Sequence, residues 1–240
     1  MGSYRTESAR PIKAAQDRCA GRIRYLADDE EIRLRDALAQ RDARIKAGRA
    51  RGNDWRRERG YAPMPSLDEC AYGDPITPMV LLTLNTGIRR GETFHLRWND
   101  VDWGANALTV DGSTAKTGQT RHIPLNAEAL DVLTAWRHQT TGHDLVFPGK
   151  NGARLNNVKK AWAGVLREAQ IANFRWHDLR HDFASRLVMA GVALNTVREL
   201  LGHTNLNTTL RYAHLAPGHK AEAVNRLRPP LTITMNQKMA

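Results

Sequence analysis

Two arginines, two histidines and a tyrosine stand at spacings that suit phosphate chemistry. Arg89 lies in Thr86-Gly87-Ile88-Arg89-Arg90-Gly91-Glu92, and His177 and Arg180 lie in His177-Asp178-Leu179-Arg180. His203 and Tyr212 share the run Leu201-Gly202-His203-Thr204-Asn205-Leu206-Asn207-Thr208-Thr209-Leu210-Arg211-Tyr212-Ala213-His214. The forked donors of a guanidinium match two phosphate oxygens, and the group does not lose its proton. Two of them on one phosphate would stabilise the charge that builds in a pentacoordinate transition state. A phenol oxygen is a competent nucleophile for a covalent intermediate. The set is equipment for gripping a phosphodiester and attacking it.

Positioning these groups requires short, well-ended elements. His177 and Arg180 are three apart at a helix start near Trp176, so they share a face, while Leu179, Phe183 and Leu187 form a separate stripe for the core. Arg89 follows a glycine, Gly87, that reads as a left-handed helix stop, and Glu92 is near enough to orient it. Tyr212 falls between the cap Asn207-Thr208 and Pro217, hence on a very short helix that can move without unfolding a core. Lys116, in Ala115-Lys116-Thr117-Gly118, sits at a hairpin tip, where it is either a solvated end or a proton donor to a leaving oxygen. Each residue alone also has an ordinary explanation: an ion pair for Arg89 and Glu92, helix-end histidines for His203 and His214, a packed amphipathic side chain for Tyr212. The case rests on their co-occurrence.

The composition points the same way. Lys and Arg exceed Asp and Glu by 11 in 240 residues, which favours an anionic partner, nucleic acid first. Cys19 and Cys70 are far apart, which suits a reduced, intracellular protein and argues against a disulfide framework or zinc ribbon. The histidine spacings are taken to match no metal pattern, so no metal or other cofactor is expected. No apolar run is long enough to span a membrane; Met79 to Leu84 is the densest and far too short. The amino terminus lacks a charged-then-apolar leader. A cytoplasmic, DNA-associated protein is expected.

Residues 1–24 read as a basic hinge or linker, 25–215 as the folded unit, and 216–240 as a tail. Within the unit, Asp28-Asp29-Glu30-Glu31 opens a helix to about Gly48, with Arg49 to Ser66 as a charged connector. Asp74-Pro75 caps the next helix, and another runs from about Arg90 to Arg97. Residues 107–110 and 120–125 read as two strands of a hairpin. Helices follow at about 126–139, 156–170, 176–190, 194–201, 206–213 and 218–227. The fold class is α+β, mainly helical, with a small antiparallel sheet.

The order of these motifs resembles the catalytic domain of the tyrosine recombinases, specifically the phage integrases. That family carries an Arg in a Thr-Gly-x-Arg-x-Gly-Glu setting, a hairpin Lys, His-x-x-Arg, Leu-Gly-His and, nine residues on, a nucleophilic Tyr. Arg89, Lys116, His177, Arg180, His203 and Tyr212 match those positions in order, with Glu92 as the accompanying acid, and the resemblance covers about residues 25–215. It implies the tyrosine recombinase fold and cofactor-free DNA integration or excision for a mobile element, through a 3′-phosphotyrosyl intermediate. It further implies that Arg89 and Arg180 bind the non-bridging oxygens, that His177 assists proton removal from Tyr212, that Lys116 protonates the leaving 5′ oxygen, and that His203 bonds the phosphate. The implied partners are double-stranded DNA at attachment sites, a tetramer on DNA with a monomer free in solution, and a directionality factor.

The family's usual core-binding domain is expected to be missing ahead of residue 25, and DNA binding to be correspondingly weak and salt-sensitive. Residues 218–235 are expected to regulate Tyr212 by docking. Two other readings stay open: a type IB topoisomerase-like enzyme, and a catalytically silent DNA-binding homologue.

Overall fold

The computed structural model describes residues 23–112 and 119–216, together with 218 and 224. Lys116, the hairpin tip and nearly all of the tail therefore lie outside the described residues. The chain is built around one apolar helix, α2 (Ile76–Thr86), whose side chains are almost all buried. It packs against both α4 (Ala127–Gln139) and α6 (Asp178–Met189). Asp74 starts α2, its Oδ1 accepting the Ile76 N–H at 3.0 Å, and Gly87 ends it in the left-handed region at φ 61°. Only glycine fits there: a Cβ would meet Phe183 Cδ1 at 2.5 Å.

The first helix, α1 (Asp28–Glu58), is longer than its sequence suggests. It was expected to stop near Gly48, yet it continues through most of the supposed connector. Gly48 and Gly52 face open space, so each costs only its propensity, about 1 kcal/mol. The segment that follows runs back along the helix and supplies polar partners. Asn53 donates to Met64 O at 2.9 Å and accepts from Met64 N–H at 2.8 Å, and Arg49 and Arg56 donate to Pro65 O and Ala62 O. Acidic Asp28–Glu31 and basic Arg56 and Arg57 sit at the ends that the helix dipole favours. Leu34, Ala37 and Leu38 bury the first part of α1.

The small sheet has three antiparallel strands in the order β1 (Val101–Asp102), β2 (Ala107–Val110), β3 (Arg121–Pro124). Leu108 opposite Ile123 forms its inner face. The strand β1 was not expected: two residues carry no readable alternation. Helix α3 (Arg90–His95) leads from α2 to the sheet, and α5 (Lys159–Glu168) packs on α1. The chain then passes through α6, α7 (Leu194–Leu201), α8 (Asn207–Leu210) and a 3-10 turn at Ala213–Leu215. The short helix expected to carry Tyr212 thus ends before it, leaving Tyr212 in the turn between α8 and the 3-10 segment.

Two apolar clusters result. The larger surrounds α2 and the sheet; the smaller comprises Ala184, Val188, Val197, Leu201 and Tyr212, with Ile23 packed against it. The entry of the chain is fixed beside α6: the Leu26 N–H donates to Asp182 at 2.8 Å, and Arg186 binds both Asp182 and Glu31. Arg24, placed by the sequence in the basic lead, pairs with Glu30 and lies over the Phe174 ring.

Candidate active site

Helix α7 ends at Gly202, and its last carbonyls have no partner within the helix. Three arginines from three other elements take them in succession. Arg121 on β3 donates Nε to Leu200 O at 3.1 Å, Arg180 on α6 donates Nη2 to Leu201 O, and Arg89 before α3 donates Nη2 to Gly202 O at 3.3 Å. Arg180 also donates to Gly87 O at 2.7 Å, so the stops of α2 and α7 are joined through one buried guanidinium. Gly202 is left-handed at φ 62°, and a Cβ on it would lie 2.8 Å from Arg121 Cδ. Gly202 therefore lets Arg121 approach the main chain, whereas the bare Gly87 makes room for Phe183 and Leu201.

Glu92 locks two of these arginines. Its buried carboxylate accepts from Arg89 N–H and Nη1, each at 2.8 Å, and from Arg121 Nη1 and Nη2 at 3.1 and 2.7 Å. Burial opposes its charge, but Arg121 foremost, with Arg89, outweighs burial and brings its pKa down to about 2. Arg180 is 3% exposed; burial, then Arg89 and Arg121, depress its pKa to about 9. His203 is pushed down to about 3 by burial and by Arg180, Arg89 and Arg211, and it bonds Thr209 through Nδ1 at 2.9 Å. His177 caps α6, and burial and Arg180 lower its pKa. The pocket has a surplus of positive charge, with Glu92 neutralising only part of it.

Tyr212 is 1% exposed. Its hydroxyl meets His181 Nδ1 at 2.5 Å, and burial raises its pKa against the pull of Arg180 and Arg211. Six of the seven expected residues, Arg89, Glu92, His177, Arg180, His203 and Tyr212, thus gather around the ends of α2, α6 and α7. Lys116, the seventh, lies outside the described residues.

Sequence reasoning missed Arg121 and His181. Arg121 had a signal: it occupies the inward phase of Arg121-His122-Ile123-Pro124-Leu125, where a charge needs a buried partner. His181 had one as well, standing four residues beyond His177 on the same helical face. The reading that no histidine spacing fits a metal overlooked this pair. Here His181 faces the phenol, and among the described residues no three His, Cys, Asp or Glu side chains gather to hold an ion. His214 lies in the exposed turn after Tyr212.

The fold thus gathers arginines, histidines and a tyrosine at the ends of three helices, an arrangement of donors suited to an anionic ligand. Residues 69–219 match the phage integrase family, and the chain belongs to that family. It is 32% identical over 174 residues to the integrase of Salmonella phage P22, covering 67% of this chain and 44% of that protein. It is 38% identical over 175 residues to the tyrosine recombinase XerC of Chromohalobacter salexigens, covering 68% and 57%. The chain spans about half the length of these relatives. The catalytic domain of bacteriophage HP1 integrase shares its fold at TM-score 0.56 and 22% identity, over 85% of this chain and 95% of that one. The Tn1549 transposon integrase, solved with a circular intermediate DNA, superimposes at TM-score 0.63 and 18% identity, over 88% and 68%. The expected fold class is borne out, including its small antiparallel sheet.

Proposed function

We propose that this chain is the catalytic domain of a site-specific recombinase that cuts and rejoins double-stranded DNA through Tyr212. The observation that carries the reading is the pair Arg89 and Arg180, held on adjacent carbonyls of one helix end in a positively charged pocket beside the tyrosine. Such a pocket favours an anion, and favours it more as a phosphodiester gains charge at the pentacoordinate stage. Fixed guanidiniums need no rearrangement when that charge develops.

In this reading Tyr212 attacks the phosphorus, forming a 3′-phosphotyrosyl link and freeing a 5′-hydroxyl. Arg89 and Arg180 hold the non-bridging oxygens, and Glu92 with Arg121 fixes Arg89. His203, neutral at neutral pH, donates to the phosphate, His177 assists the tyrosine, and Lys116 protonates the leaving oxygen. Attack by the 5′-hydroxyl of a second strand reverses the step and exchanges strands. By the family resemblance, the partners proposed are attachment-site DNA, further copies of this chain in a tetramer on it, and a directionality factor. The integrase and recombinase relatives give no support to the topoisomerase-like or silent-binder readings.

The test is covalent capture on a nicked suicide duplex with wild type and Tyr212→Phe side by side. A protein–DNA band in wild type alone is expected, and a band surviving in Tyr212→Phe overturns the assignment. Relaxation of supercoiled plasmid without joining of two marked sites would move the chain to the topoisomerase-like class.

A further inference from the structure

His181 has no part in the chemistry laid out above, although it touches the atom on which that chemistry turns. It follows Arg180 on α6, and its Nδ1 is the hydrogen-bond partner of Tyr212 Oη among the described residues, at 2.5 Å. The two rings are 5.9 Å apart and tilted by 48°. The His177 ring also meets it edge-on, 5.0 Å away at 87°. His177 is exposed, His181 is half-buried and Tyr212 is buried, so burial deepens from one ring of the chain of contacts to the next.

Resting on the reading of Tyr212 as nucleophile, we propose that His181 is the direct acceptor of the phenolic proton and that His177 acts through it. A neutral imidazole has one bare nitrogen, and the nitrogen facing a phenol O–H is the one that accepts. A general base must lie within hydrogen-bonding reach of the proton it removes. His181 does, whereas among the described residues no hydrogen bond or ring contact joins His177 to Tyr212.

The surrounding charge makes this acceptor responsive to substrate. His177, Asp178 and Arg180 face His181 from α6, Arg211 and Tyr212 from beyond α8, and His203 from the end of α7. Burial, then His177, with Arg211 and Arg180, holds His181 down to about 4, against Asp178. A phosphodiester seated on Arg89 and Arg180 offsets the cations that disfavour an imidazolium. The anion to be attacked therefore raises the proton affinity of the base that starts the attack. Without it, the phenol keeps its proton.

In the step itself the Oη–H bond breaks and its proton passes to Nδ1, giving an imidazolium. The Oη–P bond forms as the P–O5′ bond breaks, and O5′ takes a proton from the general acid proposed at Lys116. The return attack by a 5′-hydroxyl gives that proton back to the acid, and His181 returns its own to the phenolate.

The experiment measures single-turnover covalent complex formation by the 240-residue chain across pH 5.5–9. The substrate is a nicked duplex whose core is first selected from a randomised pool by covalent capture with wild type. His181→Gln is expected to bind the duplex within about threefold of wild type and to cleave about 100-fold more slowly or worse. Its rate should also lose the acid limb of the wild-type pH profile. A 5′-phosphorothiolate, whose sulfur leaves without a proton, should restore Lys116→Ala and leave His181→Gln slow. Added imidazole should partly restore His181→Ala, which serves as the second variant if His181→Gln does not melt cooperatively.

Cleavage by His181→Gln within about threefold of wild type overturns the inference, as does its rescue by the phosphorothiolate. Failure of imidazole to restore a folded His181→Ala overturns it too. A wild-type band that persists in Tyr212→Phe, or no wild-type product from any pool, sinks the reading of Tyr212 and this inference with it.

Discussion

Replacing Glu92 by Gln tests whether the arginine scaffold depends on one buried carboxylate. The oxygens of Glu92 accept four N–H donors from Arg89 and Arg121, and the residue is 5% exposed. A glutamine keeps the shape but aims an N–H₂ at two guanidiniums. The fall in its pKa from 4.5 to about 2 corresponds to about 3 kcal/mol of native-state stabilisation. Removing one partner of a buried pair costs a similar amount, about 3–5 kcal/mol. Because the folded pKa is depressed, this stability is fully present above the unfolded pKa near 4.5 and is lost as pH falls through about 2. Denaturant unfolding of Glu92→Gln at pH 7 should therefore show a deficit of about 3–4 kcal/mol, and the deficit should shrink as pH is lowered through 4 toward 2.5. A deficit under about 1 kcal/mol at pH 7, or one that stays constant with pH, would refute the reasoning.

Gly87→Ala forces a side chain into the left-handed region and into Phe183 Cδ1 at 2.5 Å. A loss of about 2–4 kcal/mol is expected, visible as a melting temperature lower by roughly 5–15 °C in calorimetry. His181 and His203 have folded pKa values depressed to about 4 and about 3. Their contribution to stability is present above the unfolded value near 6.5 and is lost as pH falls through the folded values. Urea midpoints should thus drop between pH 7 and pH 4, and the drop should be smaller in His181→Gln/His203→Gln. The logarithm of DNA affinity should fall linearly with the logarithm of salt concentration. Arg89→Ala should lower the magnitude of that slope by about 1 in fluorescence anisotropy titrations, and an unchanged slope would remove Arg89 from the phosphate contacts.

Much of the site was legible because motif residues lie next to their own punctuation. Gly87 and Gly202 announce helix ends, and Arg89 and His203 follow them directly or nearly so. Glu92 lies one turn from Arg89 and is seen to bind it. Arg121 was not legible as a site residue, because its partners Glu92 and Leu200 O come from distant parts of the chain. His181 is hidden by its neighbour, because the motif His177-Asp178-Leu179-Arg180 ends one residue before it. In the fold, α2 was plain from its uniform apolarity, whereas the end of α1 was not. Its second half is held by polar bonds to a returning segment, Asn53 to Met64 foremost, and such bonds leave no hydrophobic period to read. The burial of Tyr212 was missed for a related reason. A short helix read from its caps looks independent, but Tyr212 packs with Val188, Val197 and Leu201.

The arginines rest on the carbonyl oxygens of Leu200, Leu201 and Gly202, and every residue type possesses those atoms. Alanine scanning across this stretch will report packing at Leu201 and backbone strain at Gly202 while leaving the three acceptors in place. Replacing single amides here by esters weakens one carbonyl as an acceptor and changes no side chain, but it also removes the next N–H, such as Gly202 N–H to Glu199 O, so the anchor is read as the loss beyond that of the deleted donor. The part of the site least visible to genetics is the part to which three of its cations are tied.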